Sequence, residues 1–307
     1  MQIGIDLGAT KIESVLLDDN GSELHRSRKE SPKDYKETLN SITDSVKTIE
    51  SKFKKNLNVG VCHPGSTNLD TGLIQNAYNS PWLNNMKFSD DISKSLNRKV
   101  LCENDANCFA LSEAFDGSAQ HYKIVFGIIL GSGCGGGLVI DKKILVGPNA
   151  FAGEWGHVPI GKSKKDHNIE EFISGKGLER QYLSKFKKKL VAKDIFKKSR
   201  ENSPNEKMIV EEFNNKLGLS LSLIINIIDP DAIVFGGGVS NEIKSFEEIK
   251  IITEKYLSEF NNIKKVDLKT VFLKPKYGDA SGVRGAAILN RQNLIWVSYE
   301  FQSKKTF

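Results

Sequence analysis

Gln2-Ile-Gly-Ile-Asp-Leu-Gly-Ala-Thr-Lys-Ile-Glu-Ser-Val-Leu-Leu17 is the stretch on which the fold turns. Ile3, Ile5 and Leu7 alternate with small or polar residues, which is the period of a strand. Gly8-Ala-Thr-Lys11 is a tight turn, and Ile12 to Leu17 returns as a second strand. Asp18-Asp-Asn-Gly21 signals a hairpin, so Ser22 to Arg28 is a third strand. Beyond it, Tyr35, Leu39, Ile42, Val46, Ile49 and Phe53 recur at helical spacing. Asn58 to His63 is a strand ended by Pro64-Gly65, and Asp90 to Leu96 is a short helix. Val100 to Glu103 is a strand, and Ala106 to Phe115 is the helix that follows it.

The same plan recurs further along. Lys123 to Leu130 is an apolar strand, Gly131-Ser-Gly-Cys-Gly-Gly-Gly137 a glycine loop, and Leu138 to Ile140 the returning strand. A turn at Asp141-Lys-Lys143 leads into Ile144 to Val146. Then come a long helix from Glu206 to Ile228, a strand from Asp231 to Phe235, and Gly236-Gly-Gly238. A helix over Ile243 to Phe260, a strand over Leu268 to Leu273 and a helix over Gly282 to Leu289 complete the copy. The chain is therefore α/β and duplicated. The expected domains are 1–117 and a larger 118–281 carrying an insertion at 147–204; a C-terminal helix within 282–301 is a candidate to pack back on the first. A duplicated unit with a glycine turn in each half resembles the actin-like ATPase (ribonuclease H-like) fold. That resemblance implies two domains around a cleft that holds nucleotide and substrate.

Bulk properties are those of a globular protein. Hydrophobic residues make up 39% of the 307, so a sizeable core is available. No apolar run has the length of a membrane span, and Asp6 interrupts the first apolar segment, as a signal peptide would not. A cytoplasmic protein without membrane partner is expected. The cysteines at 62, 102, 108 and 134 form no Cys-x-x-Cys pair, which excludes a zinc ribbon or redox motif and leaves buried thiols. The net charge of +6 is densest over Lys185 to Lys198. There the lysines alternate with Phe186, Leu190, Val191, Ile195 and Phe196 at helical spacing, so a solvated helix face is expected and no nucleic-acid partner.

Three features bear chemistry. The loop Gly131-x-Gly-x-x-Gly136 has the glycine spacing of a dinucleotide fingerprint but opens a strand instead of a helix, and no Gly-Lys-Ser/Thr follows it. Its glycines still allow backbone N–H groups to approach an anion closely. With Gly8 to Lys11 it makes two hairpin turns that can clamp phosphates from both sides, where the plain alternative is a flexible hairpin loop. Gly236-Gly-Gly238 after a strand suits close approach of a ring or ribose. In Val100-Leu-Cys-Glu-Asn-Asp-Ala-Asn-Cys108, Asp105 stands past a strand end at a helix N-terminus, where ligands of open α/β sheets sit. Asn104 or Asp105 equally suits the plain helix cap.

Ile3 to Lys11, Glu103-Asn-Asp-Ala-Asn107, Gly131 to Gly137, Gly153-Glu-Trp-Gly-His157, Ile173-Ser-Gly-Lys-Gly177 and Gly236 to Gly238 together resemble the ROK family of sugar kinases and sugar-responsive repressors. The likeness runs from Met1 to about Leu289. Pro64-Gly-Ser66, Asn76 to Leu83 and Lys276 to Ala287 bring it nearest to bacterial fructokinases that also accept mannose, with N-acetylglucosamine kinases second. The resemblance implies phosphorylation of a hexose 6-hydroxyl by ATP and Mg²⁺, with fructose first and N-acetylglucosamine, another amino sugar or glucose as the alternative. It implies Asp105 as general base. Asn104, Glu154, His157 and Glu170 (with Glu171 as the adjacent alternative) would bind the sugar, joined by Asn79 and Gly65. Asp6, Gly8, Ala9, Thr10, Lys11, Gly131, Ser132, Gly133, Gly135, Gly136, Gly237 and Gly238 would bind ATP, with Asp6 near Mg²⁺. A homodimer is what the family suggests.

The resemblance breaks at one place. The family usually carries a Cys-x-Cys-Gly-x-x-Gly-Cys zinc loop after the Glu-x-Gly-His segment. Here Ile160-Gly-Lys-Ser-Lys-Lys-Asp-His-Asn168 is short and lacks cysteine. His157 and His167 do not make the four ligands of a structural site, so no zinc is expected. Two other classes stay in view. A repressor would need a DNA-binding domain ahead of the first strand, and Met1 stands beside that strand. A sugar-binding pseudokinase would follow from the missing loop, against which stand Asp105 and both glycine turns.

Overall fold

The computed structural model describes residues 1–160 and 168–291, with the backbone of 295–296. Three strands, β1 (Gln2–Leu7), β2 (Lys11–Leu17) and β3 (Glu23–Glu30), open the chain. β1 pairs antiparallel with β2 from Gln2↔Leu17 to Leu7↔Ile12, and β2 with β3. Helix α1 (Tyr35–Phe53) is started by Asp34, whose side chain accepts the Glu37 N–H. It ends at Lys54 in the left-handed region, φ 50°. Its buried stripe of Thr38, Ile42, Val46 and Ile49 covers the sheet, because residues four apart share a face. β4 (Asn58–His63) then lies parallel to β1. After the short pair β5 (Ser66–Thr67) and β6 (Ile74–Gln75) come α2 (Phe88–Ser95), β7 (Leu101–Asn104) and α3 (Asp105–Phe115). The sheet order is β3-β2-β1-β4-β7.

The second copy repeats this order. β8 (Ile124–Leu130), β9 (Cys134–Ile140) and β10 (Lys143–Leu145) are its three leading strands. The inserted segment carries three helices, α4 (Ile169–Ile173), α5 (Gly175–Phe186) and α6 (Ala192–Arg200). α7 (Pro204–Ile228), β11 (Ala232–Gly236), α8 (Phe246–Phe260), β12 (Val271–Leu273) and α9 (Ser281–Ile288) complete it, and β13 (Ile295–Trp296) follows. The sheet order is β12-β11-β8-β9-β10-β13, with β11 parallel to both β8 and β12.

Two compact units result. One comprises Met1–Asp116, Gly137–Ala152 and the chain from Ala280; the other comprises Gly117–Gly136 and Gly153–Asp279. The chain crosses between them four times, once inside β9. In the first, Ile3, Ile5, Leu7, Val59 and Val61 pack with Ile42, Val46 and Phe88 in one core. α9 closes the opposite face of β1 and β4, and it is built from small residues so that it can sit close.

Local expectations needed correction in five places; the glycine stretch is loop only from Gly131 to Gly133, since β9 begins at Cys134 and not at Leu138. The lysine-rich run at 185–198 is not one helix. α5 stops at Phe186, Lys187 takes φ 56°, and α6 begins only at Ala192. Apolar spacing carried across the gap because both flanking helices bury one stripe each. α7 begins at Pro204, two residues before Glu206, because proline suits the first helical position. α8 begins at Phe246, where Ser245 caps the Glu248 N–H; Ser240–Glu242 forms a separate 3-10 turn. Of the expected helix within 282–301, α9 is helical and 295–296 is a strand, while 292–294 and 297–301 lie outside the described residues. Among the described residues no helix is long and apolar enough to cross a membrane.

Candidate active site

In the first unit the strand-to-helix step from β7 to α3 presents Asp105. The choice between Asn104 and Asp105 as cap is settled by geometry. Asn104 has the extended backbone of an N-cap, φ −63° and ψ 148°, and its Oδ1 accepts from Ala106 N at 2.9 Å and Asn107 N at 3.4 Å. Asp105 is the first helical residue, and its Oδ1 accepts from Ala106 N at 2.8 Å. The carboxylate thus sits at the positive end of α3, partly buried, while a neighbour carries the cap.

The turn before it is fixed on both sides. The Glu103 carboxylate accepts from Asn104 N at 2.7 Å and from Asn107 Nδ2 at 3.1 Å. Burial raises that carboxyl above its ordinary value, against the two hydrogen bonds. Asn104 Nδ2 donates to Gly65 O at 2.9 Å. Gly65 has φ +82°, and a Cβ there would lie 2.3 Å from Gln75 O. Only glycine fits that approach. Gly65 therefore links the Asp105 turn to the segment carrying Asn79, which is exposed.

Asp6, next to last in β1, stands opposite Cys62 of β4 and Glu13 of β2. Burial raises its carboxyl; a hydrogen bond with Cys62 acts the other way. The first turn of α9 passes close by, since a Cβ on Gly282 would stand 3.3 Å from Asp6 Oδ2. Next to Asp6 is the tight turn Gly8-Ala9-Thr10-Lys11, closed by Gly8 N donating to Lys11 O at 2.9 Å. Ser31 N donates to Thr10 O at 3.0 Å and tethers its tip.

In the second unit three glycine segments converge. Gly175 N donates to Gly131 O at 2.8 Å, and Lys176 N to Ser132 O at 3.3 Å. Gly237, at φ +87°, packs its Cα on Leu130, where a Cβ would lie 2.3 Å from the carbonyl oxygen. Val239 N donates to that same oxygen at 2.8 Å. By contrast, no atom of the described residues lies within 4 Å of a Cβ built on Gly131 or Gly238. The loop is pinned through Gly131 O and Ser132 O and has room at Gly131 and Gly238, which suits a backbone cradle for phosphate.

Glu154, His157 and Glu170 surround the same loop. Glu154 precedes and His157 ends a 3-10 turn, Trp155–His157, with His157 Nδ1 and Glu154 Oε2 3.4 Å apart. Burial raises the Glu154 carboxyl, and the nearby His157 acts against that. Trp155 Nε1 donates to Gly135 O at 3.0 Å, and the indole sits edge-on to Phe126. A Cβ on Gly136 would meet Gly153 O at 2.6 Å and Trp155 Cδ1 at 2.8 Å. Glu170, in the first turn of α4, accepts from Cys134 N at 2.8 Å. Glu171, the alternative, pairs instead with Arg180 at 2.8 Å.

Asp105, Asn104, Gly65, Asp6 and the Gly8–Lys11 turn thus belong to one unit, and Glu154, His157, Glu170, Gly131–Gly136, Gly237 and Gly238 to the other. Sequence reading gave no role to Trp155, Cys134 or Gly175. Their motifs were visible, but their hydrogen bonds depend on tertiary approach. Asp6 offers the hard oxygen donors that Mg²⁺ takes, and the glycine loop offers N–H groups and open space to phosphate. Among the described residues no three or more His, Cys, Asp or Glu side chains gather as a metal site. His167 lies outside the described residues.

Comparison with known proteins follows this geometry. The ROK family profile matches residues 2–293. The N-acetyl-D-glucosamine kinase of Yersinia pseudotuberculosis serotype O:1b (strain IP 31758) is 33% identical, over 94% of this chain and 99% of that protein. The ROK hexokinase from Thermus thermophilus superposes with a TM-score of 0.81 at 23% identity, over 94% of this chain and 96% of its own. A ROK glucokinase from Streptomyces griseus in complex with glucose and AMPPNP gives 0.77 at 24% identity, over 95% and 99%. The duplicated actin-like α/β plan is the fold of this chain.

Proposed function

The chain belongs to the ROK family and is a sugar kinase, and we propose that it transfers the terminal phosphoryl group of ATP to the 6-hydroxyl of N-acetyl-D-glucosamine. The observation that carries the sugar is the end-to-end likeness to N-acetyl-D-glucosamine kinases, over 99% of the Yersinia enzyme. That supports the amino sugar ahead of fructose, which the sequence motifs alone placed first.

Each residue then has a task. Asp105 accepts the proton of the attacking hydroxyl, which a carboxylate does well when that proton leaves late. Asn104 spends its Oδ1 and one Nδ2 hydrogen inside the protein, so one amide hydrogen remains for a sugar oxygen. Glu154, His157 and Glu170 hold the other hydroxyls, with Gly65 and Asn79 at the edge. The Gly8–Lys11 turn and the Gly131–Gly136 segment take the phosphates by backbone N–H groups other than those of Gly8, Gly131 and Cys134, which donate within the protein; Gly237 and Gly238 approach the nucleoside. Asp6 would hold Mg²⁺, which would neutralise phosphate charge. Positioning and charge neutralisation supply the catalysis, since phosphoryl transfer demands little covalent chemistry of the protein.

The test is kcat/KM with ATP across N-acetylglucosamine, N-acetylmannosamine, glucose, mannose and fructose. N-acetylglucosamine is expected to lead glucose, mannose and fructose by about tenfold or more, because a site built to hydrogen-bond the acetamido group leaves those partners unpaired with sugars that lack it. A lead for fructose would restore the fructokinase reading, and a flat, inactive panel would favour a pseudokinase. We further propose that the enzyme works without zinc. Elemental analysis of washed protein is expected to find far less than one zinc per chain; a full equivalent would overturn this.

A further inference from the structure

We infer that the Glu170 carboxylate positions the glycine loop for nucleotide, besides facing the sugar; this rests on the proposed kinase reading. Oε2 of Glu170 accepts the Cys134 N–H at 2.8 Å and would lie 2.7 Å from a Cβ on Gly133. It is therefore pressed against the loop backbone itself. The next peptide but one, Gly135–Gly136, is held with the opposite polarity, because Trp155 Nε1 donates to Gly135 O at 3.0 Å. One carboxylate and one indole thus fix two peptides, Gly133–Cys134 and Gly135–Gly136, where the loop runs into β9, and both come from segments that bear proposed sugar-side residues. Glu170 is itself anchored. Asn168 Oδ1 caps α4 by accepting from Glu171 N at 3.1 Å, and Ser174 N donates to Glu170 O at 3.0 Å. A glycine loop is costly to order, since each glycine loses more backbone freedom than any other residue. A charge-assisted hydrogen bond from outside the loop removes part of that cost before nucleotide arrives. The same carboxylate then responds to both substrates, so sugar and nucleotide affinities are linked through it.

The experiment is calorimetric titration of ADP·Mg²⁺ and, separately, of sugar, into the whole chain and into Glu170→Ala, Glu170→Gln and Trp155→Phe. Without sugar, Glu170→Ala is expected to weaken ADP about tenfold, and Trp155→Phe severalfold. Glu170→Gln keeps an acceptor oxygen and is nearly isosteric, so it retains most ADP affinity and guards against a folding artefact. ADP affinity within about twofold of the parent in both Glu170→Ala and Trp155→Phe would overturn the inference. Loss of ADP affinity in a protein that phosphorylates none of the sugars would keep the inference and sink the substrate reading instead.

Discussion

Asp105→Asn is expected to lower kcat by about three orders of magnitude, with the unfolding midpoint within a few degrees of the parent. The two halves of that expectation have separate physical grounds. The helix start does not depend on Asp105, because Asn104 supplies the cap to Ala106 N and Asn107 N. Removing a cap would cost about 1 kcal/mol; here none is removed. The new amide is close in volume to the carboxylate and still offers an oxygen to Ala106 N, which Asp105 Oδ1 holds at 2.8 Å. What it lacks is basicity. If the proton of the sugar hydroxyl goes elsewhere, kcat stays within about tenfold of the parent, and the role of Asp105 as base fails. Asn104→Ala gives the converse pattern. It loses the cap and the bond to Gly65 O, so it lowers the midpoint and weakens sugar while Asp105 keeps its charge.

The same residues show how far sequence carries. Periodicity finds the duplicated plan because β1, β2 and β4 bury nearly every inward side chain and their turns carry glycine. It does not choose between two adjacent polar residues as a cap. Asn104 and Asp105 both have the chemistry, and the choice falls to backbone angles that the fold sets. It also misreads 185–198, where two helices each bury a stripe and the left-handed Lys187 between them leaves no mark in the apolar pattern. Glu170 was named from its motif. Its bond to Cys134 N spans 36 residues of sequence, and no local rule anticipates it. Substrate choice is one step further removed, since fructose and N-acetylglucosamine differ in contacts that the shared motifs do not encode.

The largest loss of stability is expected at glycines that bear no ligand. α9 lies so close to its neighbours that a Cβ on Gly285 would stand 1.8 Å from Cys108 O, and one on Gly60 would stand 1.9 Å from Ala286 O. Gly4 is similar, 2.1 Å from Val283 O. In each case the obstacle is backbone, and no rotamer change relieves it. Either α9 shifts bodily or the strand and helix beneath it bend. Overpacking of an ordinary core costs about 1–3 kcal/mol, and a backbone clash belongs at or beyond the upper end. Gly60→Ala and Gly285→Ala are thus each expected to lose about 3 kcal/mol or more in denaturant unfolding. Activity falls with stability, because the helices that would move carry the site. α3 begins with Asp105, and the first turn of α9 borders Asp6. Gly282→Ala supplies the comparison. Its Cβ would meet Asp6 Oδ2 at 3.3 Å, a side-chain atom able to yield, so it keeps most of the stability. If Gly60→Ala and Gly285→Ala unfold within about 1 kcal/mol of the parent, α9 does not sit as closely as these distances state.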